Sequence, residues 1–209
     1  TGEVLSLQYG STTIDRTPAL GACSPNAWCG GSTSNRATME RVDPDLAGAD
    51  SASWGANNAL IRNGSSTDAI ALNGTPKARN SRNYYISQDN ALASNKTLTA
   101  AKSPYFIDTN DLTINAGVTM TIEPGVVVKF QDSTTDLTVN GTLKALGSSA
   151  SHIVFTSFKD DAYGGDLNGD GSATAPTAGD WRSITVNSSS SNSEFSYARV
   201  RYGGRWFTG

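Results

Sequence analysis

Six consecutive residues carry the clearest chemistry in the sequence: Asp166-Leu167-Asn168-Gly169-Asp170-Gly171. A D-x-N-x-D-G stretch sets three side-chain oxygens at alternate positions around a turn, with glycine where the backbone bends most sharply. That donor set suits a hard cation such as Ca2+, which takes six to eight oxygens. The spacing matches the first half of an EF-hand loop, so Asp166, Asn168 and Asp170 would ligate through side chains and Ser172 through its backbone carbonyl. The second half departs from that pattern, because the position that needs a bidentate glutamate is Thr177. Any further carboxylate must come from Asp160, Asp161 or Asp180, at the margins of the same loop. The alternative is a solvated turn without metal, since Asp, Asn and Gly dominate turns on conformational grounds alone. The role expected of the cation is structural, because no nucleophile or base stands beside the loop.

A repeat must position this loop. Asp111-Leu-Thr-Ile-Asn and Asp136-Leu-Thr-Val-Asn lie 25 residues apart, and Ser183-Ile-Thr-Val-Asn follows 47 residues after the second. Excising the loop, roughly 160 to 180, restores a period of about 26. Shorter strands are expected between these marks, at 118–122, 126–130, 142–146, 153–158 and 195–202. Period-two alternation points Leu112, Ile114, Leu137, Val139, Ile184 and Val186 one way and Thr113, Thr138 and Thr185 the other. Stacked in register, these residues form columns, apolar inside and threonine outside, as a parallel β-solenoid requires. A β-sandwich is the competing fold, but it has no reason to reuse one strand sequence at one spacing.

The stretches Leu112–Phe130, Gly141–Gly147 and Tyr197–Gly204, together with the calcium-type loop, resemble right-handed parallel β-helix repeat proteins of bacterial surfaces, over about 95–204. Residues 1–82 resemble the later part of a lamin tail domain, an immunoglobulin-like β-sandwich. The phrases that carry this likeness are Gly2-Glu-Val-Leu-Ser-Leu, Ser11-Thr-Thr-Ile-Asp, Met39-Glu-Arg-Val-Asp-Pro, Ser53-Trp-Gly and Gly74-Thr-Pro-Lys-Ala-Arg-Asn-Ser. The opening strands of that family have no counterpart before Gly2. The expected class is therefore all-β: a partial sandwich over 1–82, a linker and first coil or cap over 83–110, and a short right-handed parallel β-helix over 111–209.

Composition agrees with this class. Among 209 residues, 15 Asp against 4 Glu, with abundant Gly, Ser, Thr and Asn, favour turns and strands over helices. The net charge of −3, without a basic stripe, argues against nucleic acid as a partner. No apolar run approaches the roughly 18 residues of a membrane span. A chain opening on Thr-Gly-Glu is expected to be a processed chain or a piece of a longer one. Cys23 and Cys29 flank a turn-rich stretch and favour a disulfide over free thiols. Zinc would need two more ligands, and the one histidine, His152, is distant in sequence. A disulfide implies an extracellular or cell-surface setting.

Three functions compete. The first is a non-enzymatic structural or adhesive module of a larger surface protein or filament, stabilised by calcium and partnered by other copies or segments of that protein through open edges at both ends, head to tail. The second is a polysaccharide lyase, since such β-helix enzymes pair calcium with basic residues, and Arg199 and Arg201 share a strand face near Arg182 and Arg205. The third is glycan binding through Tyr163, Trp181, Tyr202 and Trp206. The first is favoured, with no catalytic residue assigned.

Overall fold

The computed structural model describes residues 4–19, 21–23, 28–42, 47–62, 72–87, 90–188, 190 and 192–204, and divides the chain into two units, Thr1–Asn83 and Tyr84–Gly209. In the first unit, Gly10 at φ +61° turns the chain between β1 (Ser6–Tyr9) and β2 (Thr12–Arg16), as the Gly10-Ser11 pair predicts. The two strands are antiparallel, with a register shift between Leu7 and Gln8. Leu5, Leu7, Tyr9 and Ile14 remain exposed on this hairpin. A second antiparallel pair joins β3 (Met39–Arg41) to β4 (Trp54–Ala56). Among the described residues of 1–82, these two antiparallel pairs and the bridges Ser32–Ala37 and Ala37–Asn73 are the strand pairings present, and they do not establish the immunoglobulin-like sandwich expected there.

A buried carboxylate organises the second pair. Glu40 is 3% exposed and accepts four hydrogen bonds. Asn57 and Thr75 donate to one oxygen, both at 2.8 Å, and the Ser81 amide and hydroxyl donate to the other at 2.8 and 2.6 Å. An ionised group in a dry interior is tolerated only when its lone pairs are filled in this way. The sequence phrases around Met39, Ser53 and Gly74 thus meet at one side chain.

The described residues of the second unit form twelve strands. Its first two coils comprise β5 (Ala91–Leu92), β6 (Lys96–Leu98) and β7 (Tyr105–Ile107), then β8 (Leu112–Ile114), β9 (Thr119–Ile122) and β10 (Val127–Phe130). The next two comprise β11 (Asp136–Val139), β12 (Thr142–Leu146) and β13 (Ile153–Ser157), then β14 (Ser183–Val186), β15 (Glu194–Ser196) and β16 (Ala198–Val200). The chain visits three sheets in turn, ordered β14-β11-β8-β5, β15-β12-β9-β6 and β16-β13-β10-β7. Every pairing in them is parallel. This cyclic order is the one a parallel β-helix follows.

The predicted columns are present. Leu137 pairs with Leu112 and Ile184, Val139 with Ile114 and Val186, and Thr138 with Thr113 and Thr185. Leu112, Ile114, Met120, Ile122, Val128, Phe130, Leu137, Val139, Leu143 and Phe155 are all at most 2% exposed and form one core. Each such side chain contributes roughly 1.5–3 kcal/mol relative to exposure, so the stacked interior is the main stabiliser of this unit.

The third sheet differs from the other two. Its outward residues Phe106, Val127, Lys129, Val154 and Thr156 are buried as well. The segment leaving β13 folds back over them: Phe158 meets Phe106 with ring centroids 4.9 Å apart, and Leu167 is 6% exposed. Gly164, at φ +77°, lies so close to this surface that an added Cβ would fall 2.8 Å from Pro104 Cβ. The insertion expected at 160–180 is therefore a lid on a sheet face.

Candidate metal centre

The loop begins and ends at a neck where β13 meets β14. Asp160 is 2% exposed; it accepts from the Thr156 hydroxyl at 2.5 Å and lies 3.5 Å from Arg201 Nε. Asp180 accepts from the Ser157 hydroxyl at 2.7 Å, the Lys159 ammonium at 3.0 Å, and the Thr177 amide and hydroxyl at 3.0 Å each. Burial raises the pKa of Asp180, but these donors together outweigh it and hold the carboxyl below its ordinary value. Sequence proximity made Asp160 and Asp180 candidate ligands; Asp180 is surrounded by protein donors, and Asp160 meets the Thr156 hydroxyl and the Arg201 side chain, so both help to hold the neck.

The metal-type geometry lies at the tip. Asp161, Asp166 and Asp170 each bring one carboxylate oxygen within 4.8 Å of the others. Asp166 is oriented by amides of its own turn, from Gly169 at 2.7 Å, Asp170 at 3.2 Å and Gly171 at 2.8 Å. Asp170 accepts from the Thr174 hydroxyl at 2.5 Å and the Ala173 amide at 3.0 Å, and the Thr174 bond leads the causes that lower its pKa. Asn168 donates from its amide nitrogen to Asp170 at 2.8 Å and to Thr174 at 3.2 Å, so it braces the turn. Ser172 is exposed at the end of the turn, with φ +74°.

Asp161 is the least satisfied of the three. Its Oδ1 is shielded from solvent and has no hydrogen-bond partner among the described residues. Desolvation, followed by the negative charges of Asp166 and Asp170, pushes its pKa up, against the pull of Lys129 and a hydrogen bond from Ser172. A buried acceptor surrounded by like charge is what a bound cation relieves.

Lys129 sits beneath this cluster. It is 0% exposed and donates to Gly165 O at 2.6 Å. Burial depresses its ammonium to about 8, with Asp161, Asp160 and Asp166 resisting that shift. Three carboxylates and one ammonium leave a net charge of −2 at neutral pH, which a divalent ion neutralises. Sequence reading missed Lys129 because strict alternation puts it on a solvent face. The signal was nonetheless present: 126–130 reads Val-Val-Val-Lys-Phe, without alternation, and such runs mark strands covered on both sides.

No family model and no solved structure matches the chain. Part of it is similar to Protein bark beetle of Drosophila melanogaster, 36% identical over 83 residues, or 40% of this chain. The chain spans 3% of that protein's length, so the likeness concerns a short stretch of a far longer polypeptide.

The other predicted residues are accounted for individually. Cys23 and Cys29 form a disulfide with Cα atoms 5.0 Å apart. Trp181, proposed as a glycan platform, is 1% exposed and stacks on Phe130 at 4.0 Å in the core, with its indole N–H donated to Arg201 O. It is a packing residue with no open face. The Tyr163 and Tyr202 rings lie 5.1 and 4.9 Å from the Arg201 guanidinium, and Arg199 donates to the Tyr163 hydroxyl at 3.2 Å. Arg182 pairs with Asp136. Three of the arginines that suggested a lyase, Arg182, Arg199 and Arg201, are thus engaged at the loop neck and a coil corner. Arg205 and Trp206 lie outside the described residues. No helix among the described residues is long and apolar enough to cross a membrane.

Proposed function

We propose that this chain is a non-enzymatic structural or adhesive module of an extracellular or cell-surface protein, a calcium-stabilised right-handed parallel β-helix preceded by part of a lamin-tail-like sandwich. The observation that carries this reading is the convergence of Asp161, Asp166 and Asp170 over Lys129, with a net charge of −2 and one buried, unpartnered oxygen. These residues, with Asn168, hold one Ca2+, and the ion fixes the lid against the third sheet. Oxygen-only donors and a loop that bends around them favour Ca2+ over Mg2+, which demands a tighter octahedron. The disulfide supports an oxidising compartment, and the strand pairs at the lamin-type phrases support the sandwich. Similarity to a stretch of a far longer protein is in keeping with a segment whose partners are other segments or copies of the same protein.

Calorimetric titration with Ca2+ tests the reading. One site per chain is expected, weakened at least tenfold in Asp166→Asn and Asp170→Asn and little changed in Asp160→Asn. Absence of binding at millimolar Ca2+ would overturn it.

A further inference from the structure

The lid and its neck are held by different kinds of contact. At the neck, Asp160 bonds to Thr156, and Asp180 to Ser157, Lys159 and Thr177, beside the ring contact of Phe158 with Phe106. Beyond it, residues 161–179 rest on the third sheet through Gly164 against Pro104, the Lys129 ammonium donating to Gly165 O, and the burial of Leu167. The turn itself is shaped by amides of Gly169, Asp170 and Gly171 donating to Asp166, and by Ala173 and Thr174 donating to Asp170. These bonds lie within the segment, so they fold the turn without fastening it to the neck.

The three carboxylates span that junction. Asp161 directly follows Asp160 of the neck, whereas Asp166 and Asp170 stand on the turn, and one oxygen of each lies within 4.8 Å of the others. Like charges this close, away from bulk water, repel. The repulsion acts across the junction and drives the turn from the neck; Lys129 offsets part of it, but its hydrogen bond goes to Gly165 O. A divalent ion at the same point reverses the sign, bridging Asp161 to Asp166 and Asp170. It also supplies a partner for Asp161 Oδ1, which has none among the described residues. We infer that residues 161–179 form a calcium-operated latch: with the ion bound the turn is tied to the neck, and without it the segment lifts from the third sheet while neck and coils stay folded. The coils persist because their parallel pairing and inward core do not run through the lid. Lifting bares Lys129 and the outward face it shares with Val127 and Val154, which are 8% and 3% exposed with the lid down. At calcium about a hundredfold above its dissociation constant, the lifted fraction falls by about the same factor.

This inference rests on the metal reading above and adds a local, reversible motion to it. Hydrogen–deuterium exchange of the 209-residue chain, read by mass spectrometry in Ca2+ and in EGTA, tests it beside a calorimetric titration of the same sample. Peptides within 161–179 should exchange at least tenfold faster in EGTA, while those covering 126–131 and 153–157 keep one rate in both. Asp166→Asn should exchange fast in the lid under both conditions. Asp161→Asn removes one of the repelling charges and the bridge together, so in EGTA its lid should exchange several-fold more slowly than that of the wild type, with no further slowing in Ca2+. Calcium binding without a change in lid exchange would overturn the latch and leave the metal reading standing, whereas absence of binding heat would remove both. Coil peptides that speed up together with the lid would overturn the local opening. An Asp161→Asn lid no slower than wild type in EGTA would overturn the role given to the repulsion.

Discussion

Withdrawal of calcium should lower the melting temperature of the second unit by about 10 °C. A ligand present at about a hundredfold excess over its dissociation constant stabilises the state it binds by ~2.7 kcal/mol. The unit runs from Tyr84 to Gly209, about 126 residues. At ~2.1 cal/mol/K per residue, its unfolding entropy is about 0.26 kcal/mol/K, and the ratio of the two gives the shift. Differential scanning calorimetry in EGTA, in Mg2+ and in Ca2+ is the measurement, with two classes of variant. Asp166→Asn and Asp170→Asn remove metal donors, so they should abolish the calcium increment and leave the EGTA curve little changed. Asp160→Asn disturbs the neck clasp formed with Thr156 and Arg201, so it should lower both curves and preserve their separation. Superimposed curves in EGTA and Ca2+ would refute the metal reading. An increment lost in Asp160→Asn but kept in Asp166→Asn would refute the division between clasp and ligand.

Lys129 sets a pH dependence of defined sign. Its ammonium titrates near 8 when folded against 10.5 as a free side chain, so the unfolded chain binds the proton more tightly. Stability from this group is lowest below about pH 8 and rises by up to ~3 kcal/mol towards pH 10.5. In EGTA, urea unfolding at pH 7 and pH 10 should show this rise in the wild type and lose it in Lys129→Met. Glu40→Gln should destabilise the first unit by about 2–4 kcal/mol, because an amide NH2 then faces the Ser81 donors. Chemical denaturation followed by near-ultraviolet circular dichroism reads that loss, and an unchanged midpoint would contradict it. Gly164→Ala should loosen the lid, since its Cβ would fall 2.8 Å from Pro104 at a positive φ. Limited proteolysis between 160 and 180 should accelerate several-fold, and equal rates would show that the contact is dispensable.

Much of the coil stack was legible because its signal is repetition: the Asp/Ser-x-Thr-x-Asn strand recurs, and the observed register sets Leu112, Leu137 and Ile184 in one column as the period demands. The coil made by β5, β6 and β7 was harder to place, since its strands are only two or three residues long and carry no copy of that phrase. At the loop, spacing identified Asp166 and Asp170 correctly as convergent, and Asp161 as a margin residue that joins them. Asp160 and Asp180 also meet protein partners, Thr156, Ser157 and Arg201, which spacing does not reveal because they are assigned by tertiary position. Trp181 was misplaced for a related reason: one indole beside a loop reads the same whether it faces solvent or stacks on Phe130. Glu40 left no signal in spacing, since its four donors come from positions 57, 75 and 81 and converge only after folding.

A stack of coils held only by neighbours is in principle a one-dimensional material, able to fray from one end a coil at a time. The lid changes that. Gly164 approaches Pro104 beside β7, Gly165 binds Lys129 on β10, Asp160 holds Thr156 on β13, and the same carboxylate lies beside Arg201 just past β16. One inserted segment thus touches all four turns of the chain, including turns that do not touch each other. It acts as a cross-tie, so that opening the last turn strains the first. A row of weakly linked elements tied in this way is expected to open as a single cooperative unit, where an untied stack would open coil by coil.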